Sequence, residues 1–114
     1  MKAEQSKQKL ILRGIAASAG IAEGKVKIVS GAKDAATFPE GGILVAEMTE
    51  PSMVIMMNKA SAIVTDKGGL TSHPAIVSRE LGIPCVVATK TATRDLEDGM
   101  KIRIDGGTGE IYLI

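Results

Sequence analysis

The sequence predicts a mixed α/β domain in which short helices cross over between strands, and three observations carry that prediction. The apolar residues change period along the chain, from alternation to a four-residue spacing and back. Gly-Gly pairs at 41–42, 68–69 and 106–107 punctuate those segments as three separate turns, since their flanks share nothing. The 114 residues amount to one domain, with no fixed-period repeat and no compositional break that would mark a linker.

The elements follow in order. The opening residues, MKAEQSKQKLILR, carry charges throughout and only a three-residue apolar run, so they read as neither signal peptide nor anchor. Residues 25–29 (KVKIV) alternate, and 43–46 (ILVA) form a short apolar run after Gly41-Gly42; both predict strands. Pro51 then opens a helical segment. There Met53 and Met57, and Met56 and Ala60, recur at four-residue spacing and face the core as filler. Residues 62–65 (AIVT) return to strand. Beyond a glycine turn, 74–81 is a short helix ended by Gly82 and Pro84. Residues 85–88 (CVVA) read as a buried strand. Last, MKIRID alternates, GGTG turns and EIYLI returns as a closing β-hairpin.

Composition removes several function classes. Hydrophobic residues are 45% and charged residues 24%, which excludes wholesale disorder. Fourteen Lys plus Arg against thirteen Asp plus Glu leave +1, without the basic footprint of a nucleic-acid binder. Phe38 and Tyr112 are the only aromatics, so base-stacking platforms are missing as well. Cys85 is the one cysteine and His73 the one histidine, which rules out an internal disulfide and any usual zinc site; no metal is expected. No stretch approaches the roughly 20 apolar residues of a membrane span. A cytoplasmic location is therefore expected. The segment GIAEGKV at 20–26 has three residues between its glycines and Val26 after the lysine, so it is not a phosphate loop.

The informative stretch is TDKGGLTSHPA, residues 65–75, running from a strand through a glycine turn into a helix. Pro74 fits the first helical position, which puts His73 at or beside the N-cap, with Ser72 and Thr71 as candidate capping side chains. A helix N-terminus presents free N–H groups and about half a positive charge. It disfavours imidazolium, favours the neutral nucleophilic ring, and welcomes an anion afterwards. Gly68 and Gly69 let the backbone approach that anion closely. One location thus serves both halves of a phosphoryl-transfer cycle. On placement alone, a capping or solvated histidine remains the commoner reading.

GGLTSHPAIVSRELGIP, residues 68–84, closely resembles the phosphohistidine signature of the phosphoenolpyruvate-utilising enzymes. The signature positions here are Gly68, Gly69, Thr71, Ser72, His73, Ala75, Ile76, Val77 and Arg79. GIAASAGIAEGKV at 14–26, MTEPSMV at 48–54, KASAIVTDKGG at 59–69 and the C-terminal DGMKIRIDGGTGEIYLI are similar to the family's mobile domain in the same order. The resemblance divides the chain into an N-terminal extension, 1–12, and a mobile domain, 13–114. It implies a swivelling β/β/α fold, with a mixed sheet, two or three short helices and the C-terminal hairpin. By the same resemblance His73 accepts a phosphoryl group on Nε2, Thr49 hydrogen-bonds the ring and fixes its tautomer, and Thr71 and Ser72 flank it. Thr71 matches a regulatory phosphorylation site of some dikinases. Gly68, Gly69 and Arg79 would contact phosphate.

The resemblance also implies partners. The domain itself would bind no cofactor; ATP and Mg belong to an ATP-grasp-like nucleotide-binding protein. The second partner, also in trans, is a barrel protein that binds phosphoenolpyruvate or pyruvate. Two reaction centres can share one nucleophile only if it moves between them. Two positions depart from the family pattern: Ala19 stands where Pro is usual, and Pro74 where Ala, Ser or Thr is commoner. For other polar residues the structural reading comes first. Cys85 is packed in its strand, Arg79 and Glu80 lie on a helix surface, Lys67 is a solvated loop lysine and Asp66 a turn residue. The alternative to a phosphoryl carrier is a non-catalytic interaction or regulatory module that has kept the fold.

Overall fold

A computed structural model describes residues 8–114. The strands are β1 (Lys9–Arg13), β2 (Ile15–Ser18), β3 (Ile21–Val29), β4 (Ile43–Ala46), β5 (Ala62–Thr65), β6 (Cys85–Val87), β7 (Lys101–Asp105) and β8 (Glu110–Leu113). Three α-helices, α1 (Val54–Lys59), α2 (His73–Leu81) and α3 (Ala92–Asp95), lie between them, with 3₁₀ turns at Ala32–Thr37 and Pro51–Met53. The strand order is β1-β8-β7-β3-β4-β5-β6-β2. β3, β4, β5 and β6 run parallel, while β2 on one flank and β7, β8 and β1 on the other are antiparallel.

Central strands of a parallel sheet are covered on both faces and therefore need apolar residues at every position. ILVA and AIVT meet that demand: all four residues of β4 and of β5 are buried. Leu44, Ala46 and Ile63 point into one cluster with Met53, Met56, Met57, Ala60 and Ala75. Ile43, Val45, Ala62 and Val64 point into the other with Ala92, Ile102, Ile104 and Ile111. The methionines expected to fill the core do so: Met53, Met56 and Met57 are all at most 2% exposed.

β1 and β2 occupy opposite ends of the strand order, yet only Gly14 separates them in sequence. One residue spans about 3.5 Å at most, so the two edges must meet and the sheet must fold over on itself. β3 makes the fold-over. Its first half, Ile21–Lys25, pairs with β7, and its second half, Val26–Val29, pairs with β4. The antiparallel strands then cover one face of the parallel ones while α1 and α2 cover the other, which gives the expected β/β/α layering.

Three expectations change here. Within the expected extension, residues 1–7 lie outside the described residues, but Lys9–Leu12 belong to β1 and pair with β8, so these residues are part of the sheet. The strand expected at 25–29 is the second half of a nine-residue β3 that begins at Ile21, inside the segment GIAEGKV. β2 and α3 stand where the sequence pattern predicts no element. In the turn after β6, Ala88 (φ 58) and Lys90 (φ 74) hold left-handed backbone. That conformation costs an L-residue roughly 1–2 kcal/mol. Lys90→Gly is therefore expected to raise the stability slightly, by about 0.5 kcal/mol once the looser unfolded chain is counted, read as a higher urea midpoint.

Candidate active site

Loops that leave the carboxyl ends of parallel strands form the usual ligand crevice of such sheets. Here the loop after β4 carries Thr49, and the loop after β5 carries Gly68, Gly69, Thr71 and Ser72 into α2. Ser72 is the N-cap, in extended conformation (φ −73, ψ 162), and His73 is the first helical residue. Pro74 follows it, one place later than expected; having no N–H, it is tolerated in the first turn at either place. The helix ladder opens with Ile76 N–H to Ser72 O at 3.0 Å. Among the described residues the amides of His73 and Ala75 meet no acceptor.

The expected side-chain cap is not made. Ser72 Oγ turns back instead and donates to Gly69 O at 2.7 Å, reinforced by Ser72 N–H to the same oxygen at 3.1 Å. These two bonds tie the glycine turn to the helix start. Gly68 has φ +117, and a Cβ there would lie 2.8 Å from Ser72 Oγ, so only glycine permits the turn. A Cβ on Gly69 would meet nothing within 4 Å. Its side of the turn is open space. Thr71 is exposed, and its hydroxyl makes no hydrogen bond among the described residues.

Thr49, 4% exposed, sets the ring: its Oγ1 lies 2.7 Å from His73 Nδ1. The other nitrogen, Nε2, takes no hydrogen bond among the described residues and is not among the buried unpaired atoms, so it faces solvent. His73 itself is half-buried. One ring nitrogen is therefore engaged by protein and the other is open to a reactant.

Arg79 is not brought to this place. It lies six residues along α2, about 9 Å down the axis and two-thirds of a turn around from His73. Its Nε donates to Ala17 O at 2.7 Å, bracing the helix against β2. Lys67 is exposed and paired with Glu47 Oε2 at 3.0 Å. Asp66, read as a turn residue, reaches 27 positions away: its Oδ1 accepts Thr93 N–H at 2.9 Å and its Oδ2 accepts Thr93 Oγ1–H at 2.5 Å. No sequence signal marked that link. A cleft of about 530 Å³ lies beside the site between Ser30, Glu47, Met48, Glu50, Asp66 and Thr93, and His73 does not line it. Among the described residues no group of His, Cys, Asp and Glu is arranged to hold a metal ion.

Cys85 is fully buried beneath α2 with its Sγ 3.7 Å from Pro74 O. Burial pushes its thiol up to about 11, outweighing the lowering by Ser78 and Arg79. It therefore stays protonated at neutral pH, and thiolate is the reactive form. Iodoacetamide at pH 8 is expected to leave the native chain unmodified and to label it fully in urea, as mass spectrometry would read; rapid native labelling would contradict that burial.

The family described as PEP-utilising enzyme, mobile domain, matches residues 38–109, more than half of the chain. The chain belongs to that family. A probable phosphoenolpyruvate synthase of Archaeoglobus fulgidus is 53% identical over 109 residues, covering 96% of this chain and 14% of that protein. Phosphoenolpyruvate synthase of Pyrococcus furiosus is 52% identical over 109 residues, covering 96% and 13%. The chain thus spans about one seventh of the length of these relatives. A solution structure of the enzyme I protein nEIt superposes with TM-score 0.58 at 33% identity, over 65% of this chain and 31% of that one. These likenesses agree with a phosphotransfer mobile domain of β/β/α fold. No described helix is long and apolar enough to cross a membrane.

Proposed function

We propose that this chain is a phosphoryl carrier in which His73 Nε2 takes a phosphoryl group from one protein and delivers it to another. The single observation that carries the reading is the ring held through Nδ1 by buried Thr49, with Nε2 left open at a helix start. In the productive tautomer Nδ1–H donates to Thr49 Oγ1, which leaves the Nε2 lone pair free to attack phosphorus. As the N–P bond forms, the bond from phosphorus to the departing nucleotide oxygen breaks, and positive charge develops on the ring. Thr49 Oγ1, accepting from Nδ1–H, stabilises that charge. The amide of His73 and the open side of Gly69 then receive the phosphoryl oxygens.

The donor in this proposal is a nucleotide-binding protein or domain of ATP-grasp type that supplies ATP with Mg. The acceptor is a barrel that binds pyruvate or phosphoenolpyruvate. Membership of the family and identity of about half to phosphoenolpyruvate synthases support that assignment. Thr71 and Ser72 flank the transferred group, Thr71 as the exposed hydroxyl and Ser72 as the tie that shapes the turn. A cytoplasmic location suits ATP and phosphoenolpyruvate as the phosphoryl sources. The test is incubation with the cognate nucleotide-binding partner and ATP labelled in each phosphate in turn. Acid-labile label on this chain, abolished in His73→Ala, is expected. Partner binding that survives His73→Ala, with no label on the parent chain, would favour the non-catalytic module instead.

A further inference from the structure

We propose that Asp66 is the positioning residue for His73, acting through the loops and not through the ring; this deepens the carrier reading and rests on it. Thr49 and His73 meet across two different loops, those following β4 and β5, so their 2.7 Å contact is only as good as the spacing of those loops. Asp66 stands where the second loop begins and bonds to both its neighbours. Its N–H donates to Ala46 O at 3.1 Å, at the end of β4, and the next amide, Lys67 N–H, donates to Glu47 O at 3.1 Å. Its carbonyl accepts Lys90 N–H at 2.9 Å, and its carboxylate accepts both donors of Thr93, in the loop and helix after β6. Loops from three consecutive parallel strands therefore converge on one residue.

The third of these loops is under strain. Ala88 and Lys90 both hold positive φ, and backbone of that kind persists only where its surroundings over-determine it. What fixes it is Thr65 and Asp66: Thr89 N–H and Oγ1–H both donate to Thr65 O, at 3.1 and 3.0 Å, alongside the Lys90 and Thr93 bonds to Asp66. The strained turn is thus fastened to the two residues that immediately precede Lys67 and the glycine turn. An aspartate in a turn ordinarily satisfies nearby amides; this one spans 27 positions instead. Removing the carboxylate takes away two of the five bonds that tie the 88–93 loop to the base of the His73 loop. The Thr49 contact then loosens, and the ring proton moves from Nδ1 to Nε2, where it blocks the nucleophile.

The test reads the tautomer on the unphosphorylated, ¹⁵N-labelled chain, from long-range ¹H–¹⁵N spectra of the His73 ring at a pH well above imidazole titration. The parent chain should hold the proton on Nδ1. Asp66→Ala and Thr93→Val should each shift the Nδ1–H to Nε2–H ratio by about tenfold toward Nε2–H. Thr93→Ser, which keeps both hydrogen bonds to the carboxylate, should stay near the parent ratio. Labelling rates with the nucleotide-binding partner should fall with the tautomer, on the order of tenfold to a hundredfold. A folded Thr93→Val or Asp66→Ala chain with the parent tautomer ratio overturns the proposal, as does Thr93→Ser behaving like Thr93→Val. Should Asp66→Ala not fold, Thr93→Val decides alone. Because the spectra need no phosphate, a tautomer that fails to respond counts against the positioning role, whereas a chain that never takes label counts against the carrier reading.

Discussion

Gly106→Ala is expected to unfold at a much lower urea concentration than the parent chain, with a loss of about 3 kcal/mol or more. A Cβ on Gly106 would lie 1.9 Å from Ser18 O and 3.1 Å from Cys85 N. Both are backbone atoms of neighbouring strands and cannot rotate aside. The glycine is also pinned there, since its N–H donates to Gly20 O at 2.8 Å. To admit the methyl, the β7–β8 turn must lift away from the β2–β3 turn, which breaks that bond and loosens the cluster containing Ile104 and Ile111. The cost is a large part of the roughly 5–15 kcal/mol that holds such a domain together. Gly107→Ala is the control, because its Cβ would meet only Asp105 Oδ1, at an ordinary 3.4 Å. Its stability should stay within about 0.5 kcal/mol of the parent. Equal midpoints for the two adjacent variants would contradict the packing described.

Thr49→Val should slow the arrival of label on His73 by about a hundredfold while leaving the fold nearly intact. Thr49 is buried and valine has nearly its shape, so packing is kept and only the hydroxyl is lost. The stability change should be about 1 kcal/mol, the usual worth of one hydrogen bond. The chemical change is larger because the ring loses the partner of Nδ1 and with it the preference that keeps Nε2 unprotonated. Thr49→Ser should retain most of the rate. Initial rates with the nucleotide-binding partner and ATP, beside thermal midpoints, separate the two effects. A Thr49→Val chain that labels at the parent rate would show that the ring needs no such restraint.

Much of this architecture is legible in the sequence because burial on both faces leaves a continuous apolar run, as in ILVA and AIVT. Alternation in KIRID and the GGTG turn likewise announce the closing hairpin. Elements that escape are those whose signal is not local. β2 is IAAS, too short and too small-residued to read as a strand; it exists because it pairs with β6. α3 is four residues, ATRD, barely one helical turn and too short for an apolar spacing to repeat. The site divides the same way. His73 at a helix start follows from Pro74 and the glycine turn, whereas Thr49 stands 24 residues away and enters only through the family resemblance. Nor does the motif announce that Arg79 donates to a carbonyl on β2, 62 positions away. Asp66 looks like an ordinary turn residue until Thr93 is seen to close on it.

The most direct measurement is the position of the phosphoryl group on the chain after reaction with its nucleotide-binding partner, read by ³¹P and long-range ¹H–¹⁵N spectra. Phosphorus bonded to Nε2 of His73, labile in acid and stable in base, is the expected result. An acid-stable ester on Thr71 or Ser72, or attachment through Nδ1, would mean that the nitrogen facing Thr49 is not the one held in reserve, and the carrier chemistry built on that contact would be wrong.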